Sequence, residues 1–513
     1  MSTAPSGPDA ELAEPFPADS SVSRDLATIP RAARTWRASH FAALWCAMCL
    51  GLPTFTLATG FVDLGMSARQ AMGTILLGSL IGLVPILLTS HAGARYGLAF
   101  PVQARLAYGS RGGRVPAFVR GLTACVWFGS NVWIGGTALR AMFTALWPSL
   151  ATSGVSFLGI DPLQGLALAI VWTLNMAVAV RGPVPIRRFG TGSAMLFLGV
   201  LIALHAWTSA RTGSWGLELS SGDQVQDTAS FLRLFLPALA ASASFWATQS
   251  LGVADFARHA ASQHAQAVGQ ALALPAAMVA FSVLGLLLSS GATRLYGEQA
   301  WDPLRLASHV GSPWVVALVA VAYAGATVAV NLTAHVVVAA NAFASLWPRW
   351  IDHRKGVLLA GLAGILSQFW LWPADGGLAL FGWLGLALPC LGAVAGVIVW
   401  DYWGVRRTLL TLTELEGTIG SDTGAKGWNP AAFLATAFGC LLASGDQLYA
   451  GILHLSLGGS LTGRVIDLGG FGWFAGFFGA ALSYHLLMKL ASCRKARPAA
   501  PSSTPPHLPH SWL

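Results

Sequence analysis

The sequence predicts an all-α integral membrane protein with about twelve transmembrane helices. Three observations carry that expectation. Of the 513 residues, 55% are hydrophobic and only 10% charged, against roughly 25% charged in soluble domains; mean hydropathy is +0.61. The apolar residues form continuous runs of about 20, the length a helix needs to cross a bilayer, rather than the short alternating strands of a β-barrel. Basic residues gather in every second loop between those runs, the asymmetry that orients a polytopic chain.

Residues 1–38 are rich in Pro, Ser, Ala and acidic side chains and read as a disordered cytoplasmic tail. They lack a short apolar core before a small-residue cleavage site, so the first membrane helix is expected to direct insertion itself. Apolar segments follow at 41–63, 68–90, 117–147, 162–181, 189–209, 230–254, 267–291, 313–345, 356–374, 377–401, 430–453 and 467–490. Residues 491–513, rich in Pro, Ser and His, read as a second tail. Arg34 and Arg37 precede the first segment; Arg95, Arg105, Arg111, Arg114 and Arg120 follow the second; Arg187 and Arg188 follow the fourth; Arg354 and Lys355 follow the eighth; Arg406 and Arg407 follow the tenth. The alternate loops are poorer in base or offset it, as with Glu218, Asp223 and Asp227. Both termini are therefore expected in the cytoplasm and the protein in the plasma membrane. The net charge of +9 and pI of about 9.6 belong to this topology signal, with no nucleic-acid partner implied. Five of the six cysteines lie in apolar segments, where Cys acts as a small hydrophobe. Cys46 and Cys49 have redox spacing but no second pair.

Two segments look broken. The first carries Leu50-Gly51-Leu52-Pro53 near its middle, where Pro removes a backbone donor and clashes with the preceding turn; a simple kink is the plain alternative. The sixth carries Ala241 to Ser250, dense in small and hydroxyl residues. Irregular helices in corresponding halves of a transporter point to its substrate site.

The third segment bears no charge between Arg120 and Arg140. Within it Trp127 and Asn131 stand four apart and share a helix face. An indole beside a carboxamide suits a flat polar heterocycle, offering a stacking face with a donor and an acceptor. The same two residues would also serve packing and an interhelical hydrogen bond, and both readings stand on these residues alone. Gly129, Gly135 and Gly136 would let other helices come close. Asp63, Asp255, Asp401 and Asp446 fall near segment ends, which suits helix-end roles. His335 lies deeper, one helical turn after Asn331, and a buried polar pair there is a candidate site or a structural bond. The sequence holds no metal-ligand cluster, phosphate loop, Ser/His/Asp arrangement or paired carboxylates, so an enzyme has no candidate chemistry.

In its ordered blocks the chain resembles the nucleobase–cation symporter-1 family, permeases for cytosine, purines, uracil, thiamine, allantoin and hydantoins. The blocks are Ser90-His91-Ala92-Gly93-Ala94-Arg95-Tyr96-Gly97, Phe100 to Arg105, Tyr108-Gly109, Trp127-Phe128-Gly129, Trp133 to Gly136, Ala254 to Arg258, Asn331 to Ala334, and Asp401-Tyr402 with Val405 to Arg407. The resemblance implies a LeuT-type fold of two inverted five-helix repeats (about 41–209 and 230–401) plus two C-terminal helices (about 430–490), working by alternating access. It also implies that Trp127 and Trp246 hold a ring between them. The third-helix amide, usually Gln, is Asn131. The residue before the sixth-helix Trp, usually Gly, is Phe245. An eighth-helix Asn that contacts ligand matches His335, and a first-helix Gln of some members matches Gly51. Sodium-coupled members would bind the ion through carbonyls matching those of Ala47, Leu50 and Ala326 and two hydroxyls, whose positions here hold Ala329 and Val330.

The sequence therefore predicts a symporter that imports a nucleobase or related planar heterocycle. Its expected substrate site comprises Trp127, Asn131, Trp246, Phe245, His335, Gly51 and Asn331. No cofactor and no obligate protein partner are expected beyond the lipid bilayer. The coupling ion is H+ or Na+, with the proton favoured through His335 because two sodium ligands are missing. Two rivals are a transporter of a non-aromatic solute on the same fold and a non-transporting membrane sensor.

Overall fold

Helix boundaries follow from local chemistry. Ser67 caps Ala68–Tyr96, its hydroxyl accepting from Gln70 N–H while Gln70 bonds back to the Ser67 amide, a reciprocal capping box. Asp161, Ser262 and Asp352 cap three later helices through their own side-chain oxygens. Pro occupies the first or second position of several helices, where its missing N–H costs nothing.

The computed structural model describes residues 23–152, 160–215, 228–297, 302–368, 378–410, 427–457 and 471–496. In chain order its helices are α1 Ala38–Cys49, α2 Leu52–Asp63, α3 Ala68–Tyr96, α4 Phe100–Tyr108, α5 Arg114–Leu146, α6 Pro162–Ala179, α7 Pro183–Thr212, α8 Thr228–Ala247, α9 Ala254–Ala257, α10 Gln263–Tyr296, α11 Pro303–Ser308, α12 Pro313–Val330, α13 Val336–Leu346, α14 His353–Leu366, α15 Leu378–Trp400, α16 Pro430–Leu457 and α17 Gly472–Ala496. Each of the twelve apolar segments is helical over most of its described residues, the first with an interruption at Leu50–Gly51. By length and composition eight described helices suffice to cross a membrane, and the α1–α2 pair, bent by 63°, makes a ninth. Their outer faces are apolar: on α3, Leu76, Leu77, Leu80 and Val84 are exposed while Ile75, Ser79, Gly82 and Ile86 are buried, as expected for a helix solvated by lipid.

α5 runs through the interior against α6, α12, α13 and α14. Its glycines permit this. A Cβ on Gly129 would collide with the Gly364 carbonyl of α14, and one on Gly135 with the Thr327 hydroxyl of α12. α15, α16 and α17 pack on one another around a second hydrophobic cluster. Buried polar bonds tie α1 and α3 to α10: Trp45 Nε1 donates to Gln270 Oε1 (3.3 Å), and Gln270 Nε2 donates to Ser90 Oγ (3.1 Å).

The tail expected over 1–38 is corrected by this structure: residues 23–37 form an ordered strap. Ile29 N–H donates to Gly97 O (3.2 Å), at a glycine with φ +72° that a Cβ would bring within 2.6 Å of Ile29 O. Arg34 donates to the carbonyls of Ile29, Ala94 and Arg95. Trp36 pairs with His259 and Ala261 through backbone bonds. Asp25 accepts from His353 N–H through its carboxylate and from Arg258 through its carbonyl. Composition missed this because the strap is held by polar contacts at helix ends, which need no hydrophobic periodicity. The second tail also starts later than 491, since α17 runs to Ala496; residues 1–22 and 497–513 lie outside the described residues.

Candidate functional site

The first helix breaks where the sequence places the break. α1 ends at Cys49, Leu50 leaves helical geometry (φ −80°, ψ 41°), Gly51 is extended (φ −107°, ψ 155°), and α2 starts with Pro53 in its first turn. The last carbonyls of α1 and the first amides of α2 thus lack regular helical partners. The sixth segment stays α-helical through Ala241–Ala247 and departs from α-helix only later, tightening into a 3-10 turn over Thr248–Leu251.

The eighth segment holds a feature the sequence reading did not anticipate. Between α12 and α13, residues Asn331–His335 form a π-turn, a widened turn that inserts one extra residue and often marks functional sites. His335 closes it with φ −126° and ψ −60°. The extra residue corrects the expected Asn331–His335 pair. Spaced four apart they would share an α-helical face, but here they diverge. Asn331 is fully buried and donates from Nδ2 to Phe128 O on α5 (3.2 Å). It does not line the cavity described next, so its assignment as a substrate residue is withdrawn.

These irregular elements surround a cavity of about 330 Å³, at the lower end of the roughly 300–1,000 Å³ of small-ligand sites. The break supplies Met48, Gly51, Pro53 and Thr54; α5 supplies Arg120, Thr123, Trp127, Ser130, Asn131 and Ile134; α8 and its 3-10 turn supply Phe245, Trp246 and Gln249; Val330 and His335 close the wall opposite. The α5 set follows the i, i+3, i+7, i+10 rhythm of one helical face.

Trp127 and His335 lie nearly parallel, 12° between planes and 6.3 Å between centroids. Asn131 Nδ2 donates to Trp127 O one turn back (3.0 Å), which fixes the carboxamide. Trp246 stands edge-on to Trp45 (5.6 Å, 85°) and donates from Nε1 to Met278 Sδ (3.1 Å), while Phe245 meets it edge-on at 5.4 Å. Six expected site residues (Trp127, Asn131, Trp246, Phe245, His335 and Gly51) therefore share one cavity.

Arg120 and Gln249 were missed. The sequence reading counted Arg120 as a loop charge that sets topology, whereas it is 3% exposed within α5 and lines the cavity. The usable signal was its spacing, seven before Trp127 and eleven before Asn131. Its Nη2 donates to Gln249 Oε1 (3.2 Å), and Gln249 Nε2 donates to Ala334 O (3.2 Å), so one amide links α5 to the π-turn. At the positions expected for sodium, Ala47, Leu50, Ala326 and Ala329 are buried, and the Val330 side chain faces Gly51, its Cγ2 3.7 Å from a Cβ built there.

A long bundle of apolar helices, broken at the first, around a mostly apolar cavity lined by aromatic rings with a few polar side chains among them, defines a multi-pass membrane transporter. The family of permeases for cytosine/purines, uracil, thiamine and allantoin matches residues 28–466, and the chain belongs to that family. It is 32% identical over 435 residues to a purine–uracil permease of Arabidopsis thaliana, covering 84% of this chain and 71% of that one. It is 29% identical over 468 residues to an allantoin permease of Bacillus subtilis, covering 91% and 93%. Among solved structures it resembles a nucleobase–cation symporter in a closed conformation with bromovinylhydantoin bound, with TM-score 0.71, 20% identity and coverage of 93% and 96%. A sodium-coupled sialic acid symporter superposes with TM-score 0.55 at 11% identity. The fold is thus LeuT-type, as the sequence resemblance implied, and the protein is a permease rather than an enzyme.

Proposed function

We propose that the cavity is the substrate site and that the protein imports a nucleobase, ureide or related planar heterocycle across the plasma membrane, with both termini in the cytoplasm. The observation that carries this is the convergence of Trp127, Trp246, Phe245 and His335 with the fixed amide of Asn131 on one cavity at the helix break. Aromatic faces bind a flat ring by stacking, worth about 1–3 kcal/mol per base. Trp127 and Trp246 clasp the ring; Asn131 and His335 meet its edges; Gly51 leaves room that a larger side chain would fill. The relatives named as purine–uracil and allantoin permeases support this ligand class.

Proton coupling is the favoured drive. A sodium ion needs several oxygen ligands, and Ala329 and Val330 offer none from their side chains; His335 is the imidazole among the described residues lining the cavity. Flux of labelled uracil, hypoxanthine, allantoin and hydantoin into proteoliposomes, under imposed pH or sodium gradients, tests both statements. Trp127→Ala and Trp246→Ala are expected to cut flux at least tenfold while the protein still reconstitutes. Normal flux in either variant removes the clasp, and flux driven by sodium alone removes the proton.

A further inference from the structure

The cavity's charge is one-sided. Among the described residues that line it, Arg120 and His335 are the ionisable ones, and no carboxylate joins them. Arg120 is 3% exposed, and its Nε has no hydrogen-bond partner. Its Nη2 is met by a neutral amide, Gln249 Oε1. The acid that partly offsets it, Asp255, lies outside the cavity wall and accepts from the Phe100 N–H through its Oδ1. His335, 7% exposed, also leaves its Nδ1 without a partner. A buried guanidinium with unmet donors is costly and is relieved by an oxygen acceptor carrying negative charge.

The hydroxyls work the other way. Ser130 Oγ donates to Val126 O (3.1 Å) and Thr123 Oγ1 donates to Arg120 O (2.8 Å), so their protons are taken and their lone pairs remain. Arg120 thus brings a charged donor group to the space, and one helical turn along α5 the Thr123 hydroxyl brings an acceptor. The complementary edge is a carbonyl oxygen adjoining a ring N–H.

We propose that Arg120 is a specificity-determining residue that selects oxo-heterocycles, lactams and imides in neutral or anionic form, over rings bearing an amino group at that position. This rests on the reading of the cavity as the substrate site. The carbonyl edge points to Arg120, and the ring plane lies against Trp127.

Matched pairs differing in one group test it. Binding of hypoxanthine against adenine, and of uracil against cytosine, is measured by ligand-induced thermal stabilisation of the full-length protein in lipid nanodiscs. The oxo member of each pair is expected to bind about ten- to a hundredfold tighter, the range a hydrogen bond to a charged group commands. In Arg120→Gln that ratio falls towards one, and Arg120→Lys keeps part of it. Equal binding of both members by the unaltered protein overturns the inference even if Arg120→Gln does not fold; so does an unchanged ratio in a folded Arg120→Gln. Trp127→Ala measured in parallel separates the two ideas. If it binds like the unaltered protein, the cavity reading fails. If it loses binding while the pairs show no preference, the role of Arg120 alone fails. Binding of none of the four overturns both.

Discussion

Asp255→Asn should change how stability depends on pH, by an amount the structure sets. Asp255 is 3% exposed on the short helix α9 beyond the sixth span, with Oδ1 accepting from Phe100 N–H (3.0 Å) and Oδ2 unpartnered. Burial pushes its carboxyl up to about 6, against the opposing pull of the Phe100 amide and Arg258. The folded protein therefore holds this proton more tightly than the unfolded chain. Its contribution is fully present below the unfolded value of about 4 and is lost as pH rises through about 6. A displacement from 3.8 to about 6 corresponds to roughly 3 kcal/mol at about 1.4 kcal/mol per pH unit. His259, held down to about 4 by burial and then by Arg258, acts with the opposite sign: its contribution is present above about 6.5 and lost as pH falls through about 4. It is common to both chains and drops out of their difference. Chemical unfolding of the purified protein and of Asp255→Asn, followed between pH 4 and 7.5, should show the unaltered protein losing roughly 2.5 kcal/mol relative to the variant as pH rises, the rest of the effect lying below pH 4. A difference that stays constant across that range refutes the argument.

Two more outcomes follow from packing and from the ion site. Gly129→Ala would drive a methyl group into the Gly364 carbonyl and to 2.6 Å from Gln368 Cγ, an overpacking cost of about 1–3 kcal/mol; thermal unfolding should register it, while Gly199→Ala, with nothing within 4 Å, leaves stability unchanged or raised. Restoring both hydroxyls with Ala329→Ser and Val330→Thr should make uptake respond to sodium where the unaltered protein does not. Sodium-stimulated uptake without those changes would count against the proposed coupling.

The spans were legible because lipid demands long apolar runs, and the break at Gly51–Pro53 because Pro and Gly act locally on the backbone. The cavity's α5 face was half legible: Trp127 and Asn131 stand out as polar and aromatic groups in an apolar helix. Arg120 was read by its nearness to a loop, although its spacing from Trp127 places it inside. The strap of residues 23–37 left no pattern, since scattered polar contacts at helix ends hold it. Asn331 misled because a four-residue spacing implies a shared face only where the turn is α-helical. The π-turn that overrides this depends on packing against α5, which a single sequence does not encode in any one residue.

That π-turn has a consequence for how this family can vary. It adds one residue to an otherwise continuous helix, so a chain lacking one residue between 331 and 335 could close the turn into plain α-helix, with α12 and α13 still meeting the same neighbours. The side chain opposite Trp127 would then be a different one. The edge chemistry of the pocket could thus be rewritten by a single-codon deletion rather than a substitution, and relatives aligned here without allowing a gap would be compared at the wrong residue.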